Sequence, residues 1–174
     1  MFALLVAVLA ATAAERVAEL VLSARHARWA FARGGVERGR GHFPAMVALH
    51  TALLVAPVVE VVTADRPFLP WLGWPALVAV VAAQALRWWC IATLGRQWNT
   101  RVIVVPGASL VARGPYARFA HPNYVAVVVE GVALPLVHTA WVTALAFTLL
   151  NAVLLRGFRI PAEERALAEL APAR

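Results

Sequence analysis

The sequence predicts an all-α integral membrane protein with about five transmembrane helices, and three observations carry that prediction. Of 174 residues, 62% are hydrophobic and only 14% are charged, where an ordinary soluble domain carries about 25% charge. Mean hydropathy is +0.74, and a chain of one domain's length has no larger core to absorb such an excess, so the excess faces lipid. Finally, apolar stretches recur at the roughly 20-residue length that a bilayer core about 30 Å thick requires.

The first stretch runs from about Phe2 to Leu22, apolar through Ala14 and then carrying Glu15, Arg16 and Glu19. No Lys or Arg precedes it and the helical pattern continues past any cleavage point, so it reads as a retained anchor and not a signal peptide. The second spans about Phe43 to Val62 and the third about Trp71 to Leu94. A fourth, about Asn123 to Leu155, is too long for one pass and is interrupted at Leu134-Pro135-Leu136. Proline removes a backbone donor and clashes with the preceding turn, so a turn over Pro135 to Thr139 divides this stretch into a hairpin of the fourth and fifth helices.

The connections sort the charges. Arg25, Arg28, Arg33, Arg38 and Arg40 fall between the first two helices, Arg96, Arg101, Arg113 and Arg118 between the third and fourth, and Arg156, Arg159, Arg165 and Arg174 after the fifth. The other side receives the amino terminus, the Asp65-Arg66 turn and an uncharged hairpin tip. The positive-inside rule makes the basic side cytoplasmic, which places the amino terminus outside and the carboxyl terminus inside. The net charge of +7 is then explained by topology and anionic lipid, and no nucleic-acid partner is needed. Trp71, Trp74, Trp88, Trp89, Trp98 and Trp141 fall near span ends, where an aromatic belt belongs. The single cysteine, Cys90, can form neither an internal disulfide nor a thiolate cage; no metal site is expected.

One membrane domain, 1–174, thus divides into a three-helix region, 1–94, and a region carrying chemistry, 95–174. The segment from Gly34 to Gly41 is glycine-rich and reads as a flexible loop. Gly95 to Asn123 differs: it carries the strand-like run Arg101 to Val105 and the turn signals Pro106-Gly107 and Gly114-Pro115. Ordered loops on a rigid scaffold are where sites concentrate.

Four pieces stand out: Leu94-Gly95-Arg96-Gln97-Trp98-Asn99; Gly107 to Tyr116, including Leu110-Val111-Ala112-Arg113-Gly114-Pro115-Tyr116; His121-Pro122-Asn123-Tyr124; and Arg159-Ile160-Pro161-Ala162-Glu163-Glu164. In this order, with a hairpin before the last, the chain resembles the membrane methyltransferases of the isoprenylcysteine carboxyl methyltransferase superfamily, which also includes phospholipid N-methyltransferases. Their pattern is Leu-Val-x-x-Gly-Pro-Tyr, then Arg-His-Pro-x-Tyr, a hairpin and Arg-Ile-x-x-Glu-Glu. The resemblance covers about Arg87 to Leu167. It implies S-adenosylmethionine as cofactor and a lipid-like acceptor methylated at the cytosolic face. Two positions depart from the pattern: Ala120 stands where the family has arginine, and Ala126 where it has glycine. Arg118 replaces the lost charge only if the Arg118-Phe119-Ala120 loop takes a different path.

The cofactor-binding residues the resemblance implies are Val111, Gly114, Pro115, Tyr116, Arg118, His121, Pro122, Tyr124, Glu163 and Glu164. Glu163 and Glu164 suit the cofactor's amino group, or else belong to a solvated helix with i,i+4 charge pairs. His121 is held extended by the following proline, and Pro122 suits a first helical position, which leaves free amides for a carboxylate; a ligand-free capping histidine is the alternative. Tyr116 and Tyr124 either contact the cofactor or anchor at the interface.

Polar groups inside spans are costly and mark functional candidates: here Glu15, Arg16, Glu19, His50, Glu60, Glu130 and Asn151. A carboxylate acceptor needs only an orienting cation, for which Arg159 is placed. A phenol, with a pKa of about 10, gains from a base, and Glu130 and Asn99 are the candidates, unless Glu130 pairs with Arg16 or Arg87. The segment Asn123 to Trp141 is similar to the bacterial branch linked with type III polyketide synthases, whose members O-methylate alkylresorcinol or alkylpyrone lipids. O-methylation of a phenolic or pyrone lipid is therefore the leading reading, ahead of prenylcysteine carboxyl methylation and phospholipid N-methylation. The membrane sterol reductases share the carboxyl-terminal architecture but need room for NADPH and more spans, and a non-enzymatic scaffold gives no reason for an ordered loop. The expected partners are a lipophilic small molecule and membrane lipid; oligomeric state is left open.

Overall fold

Long runs of Ala, Leu and Val with few breakers dictate helix over most of the chain, and the computed structural model, which describes residues 1–170, has that character; Arg174 lies outside the described residues. The helices are α1 (Phe2–Phe31), α2 (Phe43–Thr63), α3 (Pro70–Leu94), α4 (Pro122–Leu136), α5 (Trp141–Leu154) and α6 (Ile160–Leu170). A π turn over Leu155–Arg159 makes α5 and α6 one continuous rod. Two short strands, β1 (Val36–Arg38) and β2 (Val102–Val104), interrupt the helical pattern. Among the described residues, Arg40–Thr63, Pro70–Gln97 and Trp141–Leu170 are long and apolar enough to cross a membrane, and α4 is apolar but shorter.

Three expectations need correction. α1 continues nine residues past Leu22, so Arg25 and Arg28 sit on the helix and not in a loop; no glycine or proline occurs before Gly34 to stop it, and Ala, Leu and Arg favour its continuation. Pro135 does not break the chain, because it falls in the last turn of α4, just as Pro57 lies inside α2 and Pro75 inside α3. Apolar helices absorb a single missing donor when neighbouring groups satisfy what it frees, and the chain reverses instead over Val137–Ala140, where Thr139 takes a φ of 63°. The Gly34 to Gly41 loop contains β1, paired antiparallel with β2 in the register Val36↔Val104, Glu37↔Ile103 and Arg38↔Val102. The β-branched run Val102 to Val105 is strand-forming, but a strand needs a partner, and the first connection supplies it.

α3 packs along α4, α4 against α5, and α5 against α2. Leu5, Leu9, Leu53, Val80, Leu134 and Phe147 form the centre of the core, and the Phe147 ring lies so close to Gly131 that a Cβ there would collide with it. At one end of the helices, Thr139 Oγ1 donates to Pro67 O at 2.6 Å, the Phe2 ring meets His138 edge-on, and Glu60 accepts from the Val142 and Thr143 amides at 3.1 and 2.7 Å, capping α5. At the opposite end the ribbon, the 95–121 segment and α6 converge: Arg38 pairs with Glu169 at 3.1 Å and the Gly107 amide donates to Leu170 O at 3.0 Å. The three arginine-bearing segments therefore gather at a single end, as the charge sorting predicts.

Candidate active site

At the arginine-rich end lies a cavity of about 450 Å³, the size of one small-molecule site. α1 contributes Trp29 and Ala30; the 94–112 segment contributes Trp98, Asn99, β2, Leu110 and Val111; Tyr116 lies beside them; and His121, Asn123 and Tyr124 at the start of α4 face Arg159, Glu163, Glu164 and Leu167.

Local chemistry explains why these side chains converge. His121, at φ −132° and ψ 61°, takes the non-helical conformation that a following proline imposes, and Pro122 opens α4. Gly114 has a φ of 56°, and a Cβ there would stand 2.9 Å from Thr93 Oγ1, so only glycine brings the Gly114–Ala117 turn down onto α3. The π turn inserts a residue into the α5–α6 rod and aims Arg159 inward, where it is 5% exposed; such bulges recur at functional sites.

The cavity's polar side is a connected set. Tyr124 donates its hydroxyl to Glu163 Oε2, Arg159 Nε donates to the Tyr124 oxygen at 3.0 Å, and Arg159 Nη1 donates to Thr100 O at 2.6 Å. His121 stacks on Tyr124 with ring centroids 5.3 Å apart. Its Nδ1 lies 3.6 Å from Glu163 Oε1 and its Nε2 3.4 Å from Glu164 Oε1. Burial alone would raise the Glu163 carboxyl, but the close His121 imidazole, the hydrogen bond from Tyr124 and the Arg159 charge outweigh it and hold Glu163 below the usual carboxylate range. The same polar contact with Glu163 raises His121 above an ordinary imidazole despite its partial burial. Burial pushes the Tyr116 phenol well above its usual range, with Cys90 adding to the shift, so Tyr116 is a neutral group.

Of the residues singled out from sequence, Asn99, Val111, Tyr116, His121, Tyr124, Arg159, Glu163 and Glu164 line the cavity. Gly114, Pro115, Arg118 and Pro122 are not among the lining residues, whereas Ala120 is; Arg118 is exposed, and the loop does not bring its charge to the cavity wall where Ala120 stands. Asn99 has its amide committed: Oδ1 accepts from Ser23 Oγ at 2.8 Å and from the Arg101 amide at 2.9 Å, and Nδ2 donates to Ser23 O at 3.1 Å. Glu130 is not at the cavity. Arg87 Nη2 reaches its Oε2 at 2.6 Å and Arg16 Nη2 reaches both oxygens at 3.2 Å. A carboxylate 97% buried requires such partners, and they come from α3 and α1, so Glu130 has no free lone pair aimed at an acceptor.

Sequence reasoning missed Trp29, Thr100 and Asn123, and misplaced Trp98, which is 3% exposed and not in a lipid-facing belt; Trp71, Trp74, Trp88, Trp89 and Trp141 do lie at the surface. The available signal was position, since Trp98 sits between the turn residues of Gly95–Gln97 and the pinned Asn99. Trp29 Nε1, Trp98 Nε1 and Asn123 Oδ1 are buried without a hydrogen-bond partner among the described residues, and all three residues line the cavity. Unpaired buried polar groups are uncommon and costly, and they fit a ligand with both donors and acceptors.

A family model for the isoprenylcysteine carboxyl methyltransferase (ICMT) family matches residues 76–169. Over 170 residues the chain is 37% identical to "Uncharacterized protein YpbQ" of Bacillus subtilis (strain 168), covering 97% of this chain and 98% of that relative. No solved structure matches the chain.

Proposed function

We propose, because this chain belongs to the isoprenylcysteine carboxyl methyltransferase family, that it methylates a lipophilic acceptor with S-adenosylmethionine at the cytosolic face of a bacterial inner membrane. The observation that carries this reading is the convergence of His121, Tyr124, Arg159, Glu163 and Glu164 on one cavity beside three unpaired polar atoms. Bound there, S-adenosylmethionine supplies an electrophilic methyl group on a sulfonium. Glu163 and Glu164 would take its amino group, the Asn123 amide at the start of α4 would meet its carboxylate, since Pro122 has no N–H and the Tyr124 and Val125 amides already bond His121 O, and the apolar wall of Val104, Val111 and Leu167 would exclude water from its base. The chain crosses the membrane about five times, with α4 and α5 as a hairpin, the amino terminus outside and the carboxyl terminus inside; the gathering of arginines at the cavity end supports this orientation.

The acceptor is an oxygen nucleophile on a lipid, a pyrone or phenol. Because Glu130 is bonded to two arginines, the acceptor oxygen meets the cofactor with its proton already lost or passed to solvent. The Arg159 guanidinium at the cavity wall favours an anionic oxygen, which keeps a prenylcysteine-like carboxylate as the second reading and disfavours a cationic amine. Orientation and exclusion of water supply the rate once the oxygen stands about 3 Å from the methyl carbon. Membranes containing the protein, incubated with labelled S-adenosylmethionine and separate pyrone, phenolic, prenylcysteine and phosphatidylethanolamine lipids, test this: label should enter a pyrone or phenol. Binding of NADPH in place of S-adenosylhomocysteine would overturn the methyltransferase reading.

A further inference from the structure

Inside the apolar part of the bundle, away from the cavity, four charged side chains and one amide form a cluster, in which Arg16 Nε, Glu19 Oε1 and Arg87 Nε make no hydrogen bond among the described residues. Arg16 and Glu19 come from α1, Gln84 and Arg87 from α3 and Glu130 from α4. Arg16 Nη1 donates to Glu19 Oε2 at 2.8 Å and its Nη2 to Gln84 Oε1 at 3.1 Å and to Glu130 at 3.2 Å. Arg87 donates to Glu130 at 2.6 Å and lies 3.6 Å from Glu19 Oε1. Two arginines against two glutamates leave the cluster neutral, which makes it tolerable in lipid surroundings, but a neutral set of apolar side chains would be cheaper to bury.

We propose that this cluster is a positioning element: it fixes the register of α1 against α3 and α4, and α1 in turn fixes one wall of the cavity. The proposal rests on the methyltransferase reading of that cavity. The path is continuous. Arg16, Glu19, Ser23 and His26 recur at three- and four-residue spacing and so share one face of α1. Ser23 Oγ bonds Asn99 Oδ1 at 2.8 Å and Thr100 Oγ1 at 2.7 Å, and the Thr100 amide donates back to Ser23 Oγ at 3.1 Å. His26 Nδ1 lies 2.8 Å from Trp98 O. Thr100 O then accepts from Arg159, which holds Tyr124 and through it Glu163.

The need for such a lock follows from how α1 is held. It approaches α2 and the Gly95–Gln97 turn closely, whereas it meets α3 and α4 through Leu5 and Leu9 in the apolar core and, farther along, through the long side chains of the cluster. Between apolar helices in lipid there is no hydrophobic force to select a register, and buried polar groups that specify register are the best attested use of such costly contacts. A slip of one residue moves Ser23 by about 1.5 Å along the axis and about 100° around it, which breaks its bonds to Asn99 and Thr100.

The test uses the full chain in lipid nanodiscs. In the variant Arg16→Met/Glu19→Leu/Arg87→Met/Glu130→Leu, the unfolding temperature should stay at or above that of the parent. Hydrogen exchange at the Thr100 and Arg101 amides should accelerate, and affinity for S-adenosylhomocysteine should fall, each by about tenfold, the scale of one lost interaction. Adding Ser23→Cys/Thr100→Cys to that variant and oxidising the pair should restore the affinity and the slow exchange of the Arg101 amide, whose acceptor is Asn99 Oδ1, since a tether replaces the lock. Parent-like exchange and affinity in the folded variant, or no recovery with the tether, overturns the proposal. Should the quadruple variant fail to fold, Arg16→Lys decides: its charge is kept but its reach shortened, and parent-like exchange at Thr100 in that protein overturns the proposal. If the parent protein itself binds no S-adenosylhomocysteine, the methyltransferase reading fails, and the exchange rates alone then decide whether the cluster sets the register of α1.

Discussion

Arg159 and Tyr124 meet through a 3.0 Å hydrogen bond from the guanidinium Nε to the phenol oxygen, and this one contact joins the π turn between α5 and α6 to the first turn of α4. Tyr124 is at once an acceptor from Arg159 and a donor to Glu163. Tyr124→Phe therefore leaves Arg159 Nε and Glu163 Oε2 each without a partner in a half-buried site, at a cost of about 1–3 kcal/mol. The expected outcome is a loss of about tenfold in S-adenosylhomocysteine affinity by calorimetry, with a lowered unfolding temperature. Unchanged affinity removes Tyr124 from the binding set.

Stability should depend on pH through the His121 and Glu163 pair. His121 sits above its ordinary 6.5, so the folded state holds that proton more tightly; the stabilisation is complete below 6.5 and is lost as pH rises through the raised folded value. Glu163 sits below its ordinary 4.5, so its contribution is complete above 4.5 and is lost as pH falls through the lowered folded value. Thermal unfolding against pH should show a plateau falling away at both ends. In His121→Gln the alkaline decline attributable to this pair should flatten; an unaltered alkaline limb excludes the pairing as its source.

The two adjacent glutamates should not be equivalent. Glu163 accepts from Tyr124 and is the less exposed side chain, at 31% against 63% for Glu164. Charge interactions weaken with exposure, so Glu163→Gln should reduce S-adenosylhomocysteine affinity more than Glu164→Gln does. Titration of the three proteins side by side measures the order, and a larger effect at Glu164 reverses the assignment.

Gly114→Ala should impair the site without touching a polar residue. The added methyl meets a left-handed φ of 56° and Thr93 Oγ1 at 2.9 Å, a combination costing about 1–3 kcal/mol. The Gly114–Ala117 turn carries Tyr116 into the cavity, so both stability and cofactor affinity should fall together. Retention of both in thermal unfolding and calorimetry shows that the turn relaxes freely.

What was legible in the sequence was what depends on period and charge sign. Apolar runs gave the helices between Phe43 and Leu94 almost to the residue, and the arginines of three connections marked the end where Arg38 and Glu169 meet. What was not legible depended on distant pairing. The partner of Val104 is Val36, 68 positions away, and three-residue strands have no signature of their own. Glu130 stands without a charged neighbour in sequence, yet its partners Arg87 and Arg16 lie 43 and 114 positions away. Trp98 shares the composition of an interfacial anchor, and only the clamp from His26 to its carbonyl draws it inside. Within the site, the motif residues His121, Tyr124, Glu163 and Glu164 were legible because local rules placed them, whereas Trp29 reached the cavity only because α1 outran its apolar part.

The ribbon of β1 and β2 has a practical consequence for anyone recombining this chain with a relative. Residues 32–42 and 95–121 look like two independent linkers on a linear map, but hydrogen bonding makes them one mechanical part, with α6 laid across both. A graft that carries the second segment alone would bring a new β2 to an old β1, and cross-strand neighbours that never coexisted would have to pair. Transplanting substrate preference between homologues therefore calls for exchanging both segments together, and the smallest portable unit of this site is discontinuous.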